Sequence, residues 1–273
     1  MPISKFQSDV LRLLAAQRSP DSYIAGGVAI NRQGPRFSED VDIFHDSTER
    51  QETAVKADDA ALAAAGYTVT WPPNQRTGRH HATIEKDGQR MQLEWVTDSA
   101  FRFFPTQPDE LFGYVLHPVD LATNKASAAA DRRVPRDIVD LVTIHENILP
   151  LGAVVAAAVG KFPGTTPEEM LAEITRHSRF TAEEFQALAT EQPIDAHALH
   201  RHIRSMIEDA EGFITRLPSD AVGVVFLDSD RPVQPDVNTL DRYQRNPGAP
   251  RGVWPTSSEI THAMVERYGK SKS

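Results

Sequence analysis

The residues from Gly26 to Asp42 concentrate chemistry in a span of about 17: a Gly26-Gly27 pair, then Arg36, Ser38, Asp40 and Asp42. The two aspartates sit in SEDVDIFHD, where apolar and acidic residues alternate strictly, as on a strand with one buried face. Residues two apart on a strand point the same way with Cα atoms about 6 to 7 Å apart. Both carboxylates can therefore share one divalent cation or a pair. Held together without a cation, two like charges near a core force one of them to take up a proton or weaken the fold. The glycines let backbone amides approach a phosphate closely, and Val28-Ala29-Ile30 would open a helix whose N-terminus favours anions. Arg36 and Ser38 add hydrogen-bond donors. A Gly-Gly pair alone most often marks a simple turn, and Asp-x-Asp alone is little more specific. Their succession in strand, turn, strand order is what points to metal-assisted phosphate chemistry.

The flanking elements must hold this segment in place. Residues 4 to 17 carry Phe6, Val10, Leu11, Leu13 and Leu14 at helical spacing, and SYIAGGVAINRQ brings a short apolar strand into the glycines, giving a hairpin-like pair with SEDVDIFHD. An alanine-rich helix over 50 to 66 ends at a glycine, and strands follow at YTVTW (67 to 71) and on both sides of the Lys86-Asp87-Gly88-Gln89 turn. After His117-Pro118 the pattern is helical to about Leu217, with Pro135 in a first helical turn and capping boxes at TPEEM and TAEEF. The expected organisation is α+β: a mixed-sheet core over 1–116, a helical domain over 117–217, and a partly irregular extension over 218–273 that offers a short strand and turn in GVVFLDSDRPVQP and then a segment rich in Pro, Asn, Arg and Gly where no packed core is expected.

Composition narrows the chemistry. With no cysteine among 273 residues, disulfides, thiolate metal sites and cysteine nucleophiles are excluded, and a metal must be held by oxygen or imidazole. No apolar run approaches the roughly 20 residues of a membrane helix, and the N-terminus lacks a signal-peptide pattern, so the expected location is cytoplasmic. A net charge of −9 disfavours a polyanionic partner unless the basic residues gather on one face.

GGVAINRQGPRFSEDVDIF resembles the first motif of the AbiEii/AbiGii-type nucleotidyltransferases, and DLATNKASAAADRRVPRDIVDL is similar to their second, a lysine followed by Arg-Asp-x-x-Asp. Together the two span about residues 22 to 144. The resemblance implies a polymerase-β-like nucleotidyltransferase fold and a toxin of a toxin–antitoxin or phage-exclusion system. It implies that Asp40 and Asp42 bind Mg²⁺ (Mn²⁺ as an alternative), that Lys125 holds the NTP, and that Asp137 and Asp140 belong to the catalytic element, without distinguishing which of them acts; Gly26, Gly27, Arg36 and Ser38 are the further nucleotide-binding candidates from the turn and its donors. Nucleotidyltransferases of this fold often add a third carboxylate from a neighbouring strand, and Glu94 in QLEWV is the candidate, as proton acceptor or third metal ligand. Without the resemblance, Lys125 reads as a solvated helix lysine and Asp137 as a helix-dipole residue.

The ten histidines match no zinc spacing. His197, His200 and His202, with Arg201 and Arg204, form a candidate landing surface for an acceptor, and Arg76, Arg79, Arg132, Arg133 and Arg136 could add positive potential near the cleft. The expected function is transfer of a nucleotide from an NTP to an acceptor, with RNA (tRNA) implied by the resemblance together with a cognate antitoxin. The rivals are a protein or aminoglycoside-like acceptor and a catalytically silent nucleotide- or partner-binding module.

Overall fold

The computed structural model describes residues 3–32 and 34–255. It is mixed α and β. In chain order come α1 (Lys5–Ala15), β1 (Ser22–Ala25), α2 (Gly26–Ile30), β2 (Asp40–His45), α3 (Thr48–Ala64), β3 (Thr68–Thr70), β4 (Arg79–Lys86), β5 (Gln89–Thr97), β6 (Phe101–Arg102), β7 (Gln107–Asp109) and β8 (Gly113–Val115). Six helices follow: α4 (Pro118–Asp131), α5 (Pro135–Asn147), α6 (Leu151–Lys161), α7 (Pro167–His177), α8 (Ala182–Gln186) and α9 (Ala196–Ile214). The short strands β9 (Val225–Asp228), β10 (Arg231–Val233), β11 (Gln244–Asn246) and β12 (Ala249–Pro250) complete the described chain. No single helix among the described residues is long and apolar enough to cross a membrane.

Seven strands make one sheet in the order β3-β4-β5-β2-β1-β8-β7. At its centre β2 runs antiparallel to β1 and parallel to β5. Along β2, Val41, Ile43 and His45 are buried while Asp40, Asp42 and Phe44 are half-buried. Val41 and Ile43 pack with Leu93 and Trp95 of β5 beneath Leu11 and Leu14 of α1 and Leu62 of α3. Each such side chain contributes about 1.5 to 3 kcal/mol on burial. A one-residue slip would exchange these apolar groups for the acids, so the core itself sets the register that turns Asp40 and Asp42 to the opposite face.

The antiparallel pairing of β1 with β2 matches the sequence pattern, but their connection is a short helix and a loop, not a tight hairpin. The β4–β5 hairpin turns through Asp87 and Gly88, whose φ values of 51° and 75° suit a two-residue loop. Both capping boxes form: Thr166 with Glu169, and Thr181 with Glu184. Strands β7 and β8, which extend the sheet beyond β1, carry no clear alternation and are not legible in the sequence.

The largest core lies among α4 to α7 and α9 and takes in Tyr23, Ala25 and Ile30 from β1 and α2, so packing is continuous across residue 117. The strand and turn read in GVVFLDSDRPVQP form as β9 and β10, and the extension is packed more closely than expected, as far as Asn246. Val225 and Leu227 of β9 are buried against Phe103, Phe104, Val119 and Ala157, and the buried Asn246 donates to the Phe103 carbonyl. The short apolar run Val224–Leu227 suffices because Phe103 and Phe104 leave a face to be covered. Residues 256–273 of that extension lie outside the described residues.

Candidate active site

Asp40 and Asp42 project from the open face of β2, and Glu94 of β5 lies opposite Asp42 in the parallel register. Asp40 accepts a 3.1 Å hydrogen bond from the Ser38 hydroxyl, and Arg136 Nη1 stands 3.6 Å from its other oxygen. Glu94 accepts from Arg79 Nη2 at 2.6 Å. Burial, reinforced by Asp40 and Glu94, pushes Asp42 up to about 7, with Lys125 and Arg136 acting in the opposite sense. Three carboxylates thus share one partly enclosed face, an arrangement that a cation would relieve.

The glycines have specific reasons. Gly26 has φ +67° and opens α2, where an added Cβ would lie 1.8 Å from Asp42 Oδ2. At Gly27 a Cβ would fall 2.6 Å from Arg36 Nη2 and 2.8 Å from Ser38 Oγ. The turn is bare so that the site's own side chains can lie against it.

Lys125, on α4, is buried between two acids of α5. Its Nζ lies 2.7 Å from Asp137 Oδ1 and 3.0 Å from Asp140 Oδ2. Asp140 also accepts two 3.0 Å bonds from Arg36, through Nε and Nη2, and one of 2.7 Å from Asn31 Nδ2. Asp137 accepts at 2.8 Å from Arg132 Nε. Burial opposes every charge here, yet the partners outweigh it. Lys125 stands above the ordinary lysine pKa because of Asp140 and Asp137, and both aspartates stand below the ordinary carboxylate range because of Lys125 with Arg36 or Arg132. Pro135 starts α5 so that Asp137 and Asp140, three apart, face α4 together. The loop carrying Arg36 is tied to the chain beyond α8, with Phe37 N donating to Ala189 O and Glu191 N to Pro35 O, each at 2.9 Å.

One cleft is lined by Gly26, Gly27, Arg36, Asp40, Asp42, Glu94 and Lys125. Ser38 contributes through its bond to Asp40, and Asp137 and Asp140 stand behind Lys125. Of the five arginines considered, Arg79, Arg132 and Arg136 reach the cleft, whereas Arg133 binds Glu184 and lies over Phe180, and Arg76 pairs with the Arg79 backbone. On α9, His197, Arg201 and Arg204 are exposed, but His200 is hydrogen-bonded to the Phe180 carbonyl and His202 faces Glu146 at 3.3 Å.

Sequence reasoning missed Asn31, which steadies Asp140, and Asn124, which lines the cleft beside Lys125. The Asn-Lys pair inside an Ala- and Leu-rich helix was the available signal for the second. Among the described residues no group of three His, Asp or Glu side chains is gathered tightly enough to hold a metal unaided.

No curated protein matches the chain. Among solved structures, it resembles the nucleotidyltransferase toxin MenT4 of Mycobacterium tuberculosis H37Rv at a TM-score of 0.55 and 17% identity, covering 79% of this chain and 83% of that one. A putative nucleotidyltransferase of H. pylori aligns at a TM-score of 0.46 and 15% identity over 77% and 93% of the two chains, too distantly to carry an argument. At 17% identity the likeness to MenT4 shows the fold alone. The family model for the nucleotidyl transferase AbiEii toxin of type IV toxin–antitoxin systems matches residues 11–220, most of the chain, and the protein therefore belongs to the AbiEii nucleotidyltransferase toxin family.

Proposed function

We propose that this enzyme transfers a nucleotidyl group from an NTP to an RNA acceptor, with a divalent cation, Mg²⁺ foremost, held by Asp40 and Asp42. The observation that carries the reading is the placement of these two acids on one strand face, lining one cleft with the Gly26-Gly27 turn and a buried lysine. The donors fit that ion: they are hard carboxylate oxygens, and Mg²⁺ is ordinarily bound by one or two carboxylates plus substrate phosphates and water, so a complete protein cage is not required. When bound, the ion neutralises the triphosphate and favours in-line attack at the α-phosphorus.

The chain's own residues supply the rest. The amides of the Gly26-Gly27 turn and the ammonium of Lys125 bind phosphates. Arg136, within reach of Asp40, and Arg132 add positive charge on the same wall. Asp137 and Asp140 act as positioning residues, since their oxygens are committed to Lys125, Arg132, Arg36 and Asn31. Glu94, opposite Asp42, takes the proton of the acceptor hydroxyl as its oxygen bonds to the α-phosphorus. The α–β phosphoanhydride bond breaks and pyrophosphate leaves. The gathering of Arg79, Arg132 and Arg136 at the cleft favours a polyanionic acceptor on a chain that is acidic overall. A cognate antitoxin, as the type IV family description implies, is the partner that restrains this activity in the cell.

The test is incubation with each α-labelled NTP, Mg²⁺ and total RNA. Label entering RNA, tRNA first, supports the proposal. If RNA stays unlabelled while a parallel incubation labels protein or an aminoglycoside, the acceptor class moves, and neither transfer to any of these acceptors nor release of pyrophosphate from the NTP marks a silent binding module.

A further inference from the structure

The face that bears the acids continues beyond them. The next residue on that face of β2 is Phe44 and on β5 it is Val96, and the two strands set Phe44 and Val96 side by side. With Leu121 of α4 they form an apolar stretch of the cleft wall. One strand repeat of about 7 Å separates this stretch from the level of Asp42 and Glu94, comparable to the separation of a nucleotide's α-phosphorus from its sugar and base.

Asn124 lines the same cleft, and its amide is locked from behind. Lys161, at the end of α6, is buried and donates from Nζ to Asn124 Oδ1 at 2.8 Å and to Asp98 Oδ2 at 2.9 Å. An ammonium has donors only, so the amide oxygen must face it and the group cannot flip. The NH₂ group carries two donors, and its one hydrogen bond among the described residues is a long 3.5 Å contact to Asp98 Oδ2. A fixed, uncharged donor beside an apolar wall suits a flat, uncharged group with acceptor atoms. The phosphates are served by the cations around Lys125.

We propose that Phe44, Val96 and Leu121 seat the nucleoside of the incoming NTP and that Asn124 selects it by donating from Nδ2 to an acceptor atom of the base, with Lys161 and Asp98 as positioning residues. The inference rests on the nucleotidyltransferase reading above. Sites built around a hydrogen bond discriminate through it, because loss of the bond leaves a partner unsatisfied.

The experiment measures, by calorimetry with Mg²⁺, the affinities of the wild type, Asn124→Leu and Lys161→Met for ATP, CTP, GTP, UTP and inorganic tripolyphosphate. The wild type should bind its preferred NTP more tightly than tripolyphosphate. Asn124→Leu should lose about tenfold for that NTP and flatten the preference among the four, with tripolyphosphate unchanged. Lys161→Met should shift the preference in the same direction, because the amide is then free to turn. Wild-type affinity and preference in Asn124→Leu would overturn the inference and leave the enzyme reading standing. So would an equal loss for nucleotides and tripolyphosphate, which would make Asn124 merely structural. A wild-type protein that binds neither would overturn both.

Discussion

The carboxylate of Asp42 occupies the space that a side chain at residue 26 would need, since a Cβ built on Gly26 falls 1.8 Å from Asp42 Oδ2. Gly26→Ala must therefore displace the acid and also place a non-glycine residue at φ +67°. We expect nucleotidyl transfer to fall about 100-fold, the scale associated with a 1 Å misplacement of a reacting group. A rate within threefold of wild type would show that Asp42 does not work from this position.

Asp42→Asn should abolish transfer in saturating Mg²⁺ and, in metal-free buffer near pH 8, melt at or above the wild-type temperature. The sign follows from the raised folded pKa of about 7. Asp42 favours the folded state below its unfolded value, and that contribution is lost as pH rises through about 7, so asparagine removes a liability present at pH 8. Asp40→Asn should be equally inactive. Lower stability with retained activity would reverse the assignment.

Lys125→Ala and Asp140→Ala should differ in kind. Removing Lys125 leaves Asp137 with Arg132 and Asp140 with Arg36, so the fold should persist while NTP affinity drops. Lys125→Arg should restore it only in part, because a guanidinium presents different geometry. Removing Asp140 strands the buried Arg36 beside a weakened Lys125 pair, which should cost about 3 to 5 kcal/mol. Urea unfolding and calorimetry separate the two, and equal destabilisation by both would deny Lys125 a ligand role.

His45 and His117 are buried and neutral, the first lowered to about 3 by burial and by Arg18 nearby, the second to about 4 by burial. Each contributes stability that is present above the unfolded histidine pKa of about 6.5 and is lost as pH falls toward these values. The raised carboxylates Asp42 and Asp120 act with the opposite sign below neutrality, so a variant must be compared with wild type. His117 caps α4 by accepting from Val119 N through Nδ1, a role asparagine can fill. His117→Asn should therefore reduce the acid-side slope of unfolding free energy by up to about 1.4 kcal/mol per pH unit between 6.5 and 4. An unchanged slope would mean that His117 takes up its proton in the fold as readily as in the unfolded chain.

If RNA enters over the arginine-lined wall, Arg79→Gln with Arg136→Gln should flatten the salt dependence of RNA binding by about two contacts. Arg201→Gln with Arg204→Gln on α9 should have the smaller effect, since half-buried His200 and His202 are tied to Phe180 and Glu146. The reverse order would place the landing surface on α9.

Much of the site was legible because local rules govern it. The strict alternation of SEDVDIFHD determines which residues of β2 face the core, so the pairing of Asp40 with Asp42 follows from the chain itself, as do the capped starts of α7 and α8. The two signatures, the Gly-Gly to Asp-x-Asp segment and the lysine followed by Arg-Asp-x-x-Asp, pointed to the family that the family model shows. What no local pattern contains is the partner of a charge. Lys125 looks like a solvated helix lysine until α5 packs on α4 and places Asp137 and Asp140 against it, and Asn124 is one more polar residue until Lys161, 37 positions later, takes its oxygen. The late strand β9 likewise lacked a reason to be buried until Phe103 and Phe104 left a face for it. Periodicity lies along the chain and can be read there. Desolvation, ion pairing and hydrogen-bond orientation depend on groups that only the folded packing brings together.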